Sequence, residues 1–169
     1  MNQLWAPWRM EYILSGNDRA AGCIFCDLPA AGPACYRQHL ILCASDHAFA
    51  IMNKFPYNNG HVLVVPRRHA ADPADLQTDE HRSLSDLLRG ATMALRAALA
   101  VDGLNVGMNL GRSAGAGIAD HCHWHLVPRW SGDTNFMAAV AETRVISDHL
   151  RTTYDRLLAH FAHLGQGPA

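Results

Sequence analysis

Two short apolar runs flank a stretch built of turn residues, and this arrangement restricts the possible folds more than any other feature of the chain. Ala48–Met52 reads AFAIM, and His61–Val65 reads HVLVV before Pro66 stops it. Between them, Lys54-Phe55-Pro56-Tyr57-Asn58-Asn59-Gly60 is rich in turn formers. Two β-prone runs around a Pro/Asn/Gly turn predict an antiparallel hairpin with a loop longer than two residues. His39–Cys43 (HLILC) supplies a candidate strand before it. Leu104–Leu110 (LNVGMNL) and His121–Val127, ended by Pro128, supply two more after it. From about Asp79 to Val101, Leu84, Leu87, Leu88, Ala91, Leu95, Ala98 and Leu99 recur at three and four residues, which predicts one long amphipathic helix. Asp79 and Glu80 suit its first turn and Gly103 lies just past its end. Ile146, Leu150, Tyr154, Leu157, Leu158 and Phe161 repeat the helical spacing near the C-terminus. The strands group as hairpins and do not alternate one by one with helices. That predicts an α+β fold with an antiparallel sheet, not a doubly wound one.

The chain has 169 residues, 49% apolar and 17% charged, which suits a single domain with a proper core. A net charge of -1 argues against general nucleic-acid binding through a basic field, while leaving room for a local basic patch that holds a few phosphates. No stretch approaches the apolar length of a membrane span, and no membrane association is expected. The opening MNQLWAPWRMEYIL has two Trp and two charged residues where a signal peptide carries an apolar run, so a cytoplasmic location is expected. In that setting an odd count of five cysteines argues against a disulfide framework. The spacing Cys23-Ile24-Phe25-Cys26 then points to metal or redox chemistry.

His121-Cys122-His123-Trp124-His125-Leu126-Val127-Pro128 places three histidines at alternate positions. In a strand these share one face, with Cys122, Trp124 and Leu126 on the other, plausibly core-facing, side. Three readings are open. The row is a polar face that happens to use His; or it binds a metal; or one imidazole is a nucleophile and its neighbours contact phosphate. Three same-face strand positions span about 13 Å, too far for all three rings to reach one ion without a bend. Histidine attack on phosphorus needs only a nucleophile with suitable neighbours.

HCHWHLVP resembles the signature of the histidine triad (HIT) superfamily. Asn53-x-x-Pro56-x-x-x-Gly60-His61-x-Leu63-Val64-Val65-Pro66 resembles that family's nucleoside-binding hairpin, and Asn109-x-Gly111-x-x-Ala114-Gly115 the loop before its triad. Leu4-Trp5-x-Pro7-x-Arg9-Met10-x-Tyr12 and Pro128-Arg129-Trp130-x-Gly132-Asp133-x-Asn135-Phe136 are similar to a bacterial branch of diadenosine tetraphosphate phosphorylases, also called ATP adenylyltransferases.

The resemblance implies a single HIT domain over 1–169: an extension with the CxxC pair at 1–36, a core at 37–130, and a C-terminal loop and helix at 131–169. It implies His123 as nucleophile, its tautomer fixed by a backbone carbonyl, and His125 as the neighbour that contacts phosphate or the leaving oxygen. Asn53 matches a ribose-binding residue, with a turn cap as the plain alternative. Asn109 matches a polar residue near the phosphates, with a bulge or turn as alternative. Hydrolytic relatives carry a Gln after the Ala-Gly of the pre-triad loop. Here Ala114-Gly115-Ala116-Gly117 has none, and its small residues free backbone N–H groups to cradle an extra phosphate. Inorganic phosphate is therefore preferred over water as acceptor. Ser113, Gly115, Gly117, Asn135 and Arg129 are further candidates to meet the polyphosphate. The resemblance also implies structural Zn2+ held by Cys23, Cys26, His69 and His121, with His47 as a rival ligand. Adenine nucleotides are the implied substrates, and a homodimer formed near residues 79–110 the implied assembly. Trp5, Trp8 and Tyr12 read as packing or interface residues, with adenine stacking as the lesser alternative. Hydrolysis of dinucleoside polyphosphates or nucleoside phosphoramidates is the rival activity, and a non-catalytic nucleotide-binding module the rival class.

Overall fold

The computed structural model describes residues 22–133 and 149–165. The chain enters through a short helix α1 (Ile24–Ala30) and a single turn α2 (Tyr36–His39). Strands β1 (Ile41–Ala44), β2 (Ala48–Met52) and β3 (Val62–Pro66) follow, then the long helix α3 (Thr78–Leu99). Strands β4 (Gly103–Met108) and β5 (Trp124–Arg129) and helix α4 (Leu150–Phe161) complete the described elements. The five strands form one antiparallel sheet in the order β1-β2-β3-β5-β4. The α+β antiparallel expectation is met.

β2 and β3 are buried at every position, so the sheet centre is covered on both faces. Their β-branched and aromatic residues suit that environment. α3 lies over β2 and β3, and α4 packs against α3 and β1. Phe49, Leu95, Leu126, Leu157 and Phe161 sit fully buried between these layers. Truncating one of the two Phe residues to Ala would remove about 3–5 kcal/mol. α3 begins where Glu80 accepts the Gln77 N–H at 2.7 Å, and ends at Ala100 in a left-handed conformation, φ 47°. The C-terminal helix starts at Leu150, and Ile146 of its expected stripe lies outside the described residues.

Two boundaries differ from the sequence expectation in ways that shape the site. The last strand begins at Trp124, not His121. The Cys122 N–H donates to Ala70 O at 2.7 Å, which bends the chain ahead of the strand. Pro128 lies inside β5 and does not end it. Pairing of β5 with β3 stops at Leu126, so the missing proline N–H removes no rung on that side. The strand expected at His39 starts at Ile41, because residues 36–39 close a helical turn ending at Leu40, φ 63°.

Candidate active site and metal cluster

The β2–β3–β5 register sets Ile51 opposite Leu63 and Leu63 opposite His125. His125 therefore shares a sheet face with Leu63 and Ile51. His123 is buried just ahead of β5, its ring centroid 4.9 Å from that of His125. His123 Nδ1 lies 2.9 Å from its neighbour's carbonyl, His121 O. A carbonyl only accepts, so Nδ1 carries the proton and the lone pair is left on Nε2. Burial holds His123 below the ordinary histidine range, against the opposing pull of the His121 carbonyl, and this favours the neutral ring.

His61 is the residue to which the sequence assigned no role. Its Nδ1 accepts the Tyr57 N–H at 3.1 Å and lies 3.3 Å from Asn53 Nδ2. With Nδ1 accepting, the neutral ring carries its proton on Nε2, which lies 3.0 Å from His125 Nδ1. His125 Nδ1 then accepts, and its own proton sits on Nε2. The Tyr57 ring stacks on His61 at 4.8 Å and 24°, and lies 5.8 Å from His125. The Gly60-His61 pair within the hairpin motif was the available signal. Its partner could not be read, because that needs the pairing register of β3 with β5.

His121 is turned away from this pair. Its Nε2 donates to Pro66 O at 2.9 Å, and its Nδ1 lies 3.3 Å from Cys23 Sγ and 3.7 Å from Cys26 Sγ. His69 Nδ1 lies 3.5 Å from Cys26 Sγ. These four ligand atoms all fall within 4.8 Å of one another. His47 is exposed and outside the group; its carbonyl accepts the Arg67 N–H. Burial, the neighbouring Cys23 thiol and Asp27 push the Cys26 thiol up to about 11. Phe25, between the two cysteines, is buried with its ring 4.9 Å from His123 and 5.4 Å from His121. One apolar side chain thus joins the cysteine turn to the buried imidazole.

The remaining expected residues separate. Asn53 Oδ1 accepts the Phe55 N–H at 2.9 Å, so this side chain caps the turn as well as reaching His61. Asn109 is half-buried just after β4, and Ser113 is exposed in the 3-10 turn Arg112–Ala114. Gly115 follows with φ 88°, a conformation other residues rarely adopt, and Gly117 is exposed. The Arg129 guanidinium is engaged by both Asp133 oxygens, at 2.6 and 2.9 Å, and by Asn105 at 3.0 Å. Cys43 and Cys122 are buried core thiols, and Cys43 is pushed up to about 12 by burial. Asn135, Trp5, Trp8 and Tyr12 lie outside the described residues.

Residues 37–132 match the HIT domain family. The chain is 35% identical over 166 residues to AP-4-A phosphorylase of Mycobacterium tuberculosis H37Rv, covering 94% of this chain and 83% of that protein. It is 36% identical over 116 residues to an uncharacterised HIT-like protein of Saccharolobus solfataricus, covering 68% and 79% of the two chains. Among solved structures, a histidine triad nucleotide-binding protein of Sulfolobus tokodaii superposes with a TM-score of 0.63 at 25% identity, covering 84% of this chain and 91% of that one. A Zn-bound histidine triad family protein of Mycobacterium smegmatis superposes with a TM-score of 0.67 at 23% identity, covering 87% and 98%. With more than half of its length matched by the family model, and a relative matched over 94% of it, the chain belongs to the HIT domain family.

Proposed function

We propose that this protein is a nucleotidyltransferase that splits diadenosine tetraphosphate with inorganic phosphate, giving ADP and ATP. The observation that carries the chemistry is the pair of contacts that set the tautomers: His123 Nδ1 on the His121 carbonyl leaves a lone pair on His123 Nε2, and His61 Nε2 on His125 Nδ1 leaves the proton of His125 on Nε2. His123 Nε2 attacks the α-phosphorus. The N–P bond forms, the P–O bond to the remaining polyphosphate breaks, and ATP leaves on the departing oxygen. His125 Nε2–H donates a hydrogen bond to that oxygen and stabilises the negative charge that develops there, keeping its own proton. Phosphate then attacks the adenylyl-histidine through a deprotonated oxygen, the N–P bond breaks to return the neutral His123 imidazole, and ADP forms. Holding both imidazoles within the same small site replaces a bimolecular encounter with a positioned one.

Three supports favour phosphate over water as acceptor. The full-length relative is an AP-4-A phosphorylase. The loop after Ala114-Gly115 lacks Gln. Its residues near Gly115 and Gly117 are small and leave room for a further phosphate, while the Gly115 and Ala116 N–H groups are taken by Arg112 O and Gly111 O. Turnover of diadenosine tetraphosphate with and without phosphate tests this. ADP plus ATP formed only with phosphate is the expected result; AMP plus ATP at the same rate without it would mean hydrolysis.

The Cys23, Cys26, His69 and His121 cluster is read as a structural zinc site. Its donor set suits a closed tetrahedral centre, and its sulfur–nitrogen separations of 3.3–3.7 Å fit the roughly 3.5 Å edge that Zn–S and Zn–N bonds of about 2.3 and 2.0 Å give. Pro66 O orients the His121 ring from behind. A bound ion would fasten α1 to the sheet; the reaction steps belong to His123 and His125. The homodimer is read at β4, an edge strand that exposes Val106, with Met93 of α3 and Leu110 exposed as well. Five free thiols support a reducing, cytoplasmic setting. The packing of α4 on β1 and α3 supports reading residues 1–169 as one domain. Among the described residues no helix is long and apolar enough to cross a membrane.

A further inference from the structure

The relay to His125 begins at a backbone amide in a loop, and that loop is fastened from outside the site. Asn58 Nδ2 donates to Asp133 Oδ2 at 2.9 Å and to Pro128 O at 3.0 Å. The Asp133 carboxylate is nearly buried, and its two oxygens also take two of the three Arg129 guanidinium nitrogens and the Trp130 N–H. The next residue, Asn59, accepts the Thr153 hydroxyl at 2.9 Å in a fully interior contact with α4. Gly60 follows with φ 71°, and a Cβ there would stand 2.4 Å from Leu99 Cδ1, so the chain lies hard against the end of α3. The His61 N–H donates back to Asn58 O at 3.2 Å and closes the turn. Three anchors thus fix residues 58–60, immediately beside the Tyr57 N–H that His61 Nδ1 accepts.

We propose that Asp133 and Thr153 are positioning residues for the hydrogen-bond donor His125, acting through Asn58 and Asn59 to keep the Tyr57 N–H on His61 Nδ1. The proposal rests on the adenylyl-transfer reading and adds to it what sets the protonation pattern of His125. A neutral imidazole carries one proton and has little intrinsic preference for either nitrogen. With the Tyr57 N–H in place, His61 must hold its proton on Nε2 and give that hydrogen bond to His125 Nδ1. If the turn relaxes, His61 can carry the proton on Nδ1 and turn a bare Nε2 towards His125. His125 must then place its own proton on Nδ1, which leaves a lone pair where the leaving oxygen needs a donor. The leaving oxygen then departs without a hydrogen-bond donor.

The test separates donation to the leaving oxygen from general loss of structure by varying the leaving group. Adenosine 5′-phenyl phosphate expels a basic phenoxide that depends strongly on a hydrogen-bond donor, while the p-nitrophenyl ester expels a far weaker base that depends on one much less. Release of each arene is followed in a single turnover with enzyme in excess. One well-placed donor to a developing oxyanion supplies about 10²–10³-fold, and Thr153→Val or Asp133→Asn is expected to slow the phenyl ester about tenfold more than the nitrophenyl ester. Thr153→Ser, which keeps the hydroxyl, is expected to restore the wild-type ratio. The Thr153 pair decides the matter if Asp133→Asn does not fold. Equal losses on both esters, or a Thr153→Val ratio like that of wild type, would overturn the positioning role alone. A wild-type protein inert towards both esters would overturn adenylyl transfer, and this proposal with it.

Discussion

His121, His123 and His125 share a residue type and a two-residue spacing, yet their ring nitrogens face different partners. Thiols and a proline carbonyl surround the first, a backbone carbonyl holds the second, and another histidine holds the third. Each partner fixes a proton, and the proton fixes what the ring can do. The same logic applies to a residue that serves stability. Arg68 donates to both Glu80 oxygens at 2.9–3.0 Å, and with the Gln77 N–H it holds this carboxyl below the usual glutamate range. A carboxyl whose folded pKa is depressed stabilises the fold above its unfolded value, and that contribution disappears as pH falls through the folded value. Glu80→Ala is expected to lower stability by about 1–2 kcal/mol at pH 7. The gap to wild type should narrow below about pH 4. Urea denaturation at both pH values measures it, and a gap that stays constant would contradict the assignment.

At the scale of elements, the CxxC turn, the hairpin and the bend before β5 converge on one corner of the sheet. Cys23 and His121 are 98 residues apart in the chain, and an ion between them would close that loop. Structural zinc contributes about 10 kcal/mol or more in small domains, so its removal by a chelator, or Cys23→Ser, is expected to lower the melting temperature by at least about 10 °C. Equimolar zinc should restore the untreated protein but not the variant. Purified protein without bound metal, and a melting curve indifferent to chelator, would contradict the zinc reading.

Much of this corner was legible in the sequence. Periodicity gave α3 within two residues, because a 22-residue amphipathic stripe has few alternatives. The hairpin was legible from its turn residues. The start of β5 was not, because the bend at Cys122 depends on the carbonyl of Ala70, a contact across 52 positions. His61 as the partner of His125, and Asp133 and Thr153 as anchors of the loop, were equally hidden. Each is a pairing between distant segments, and local pattern carries no register.

For the molecule as a whole, two surfaces matter: the buried relay and the exposed edge. β4 shows Val106 at 45% exposure and α3 shows Met93 at 62%, exposed apolar positions that the proposed dimer would cover. Val106→Glu is expected to convert a dimer into a monomer in light scattering, since a charge at an apolar edge blocks pairing. A wild-type protein that is already monomeric at micromolar concentration would contradict the dimer. The catalytic logic rests on the contacts that His61, His123 and His125 make within the chain. That logic has one covalent consequence. Mixed with diadenosine tetraphosphate in the absence of phosphate and quenched under alkaline conditions, the wild-type protein should gain the mass of one adenylyl group, and adding phosphate should discharge it as ADP. His123→Ala should gain none. An adduct that forms equally well on His123→Ala, or turnover by that variant at the wild-type rate, would contradict nucleotidyl transfer through His123.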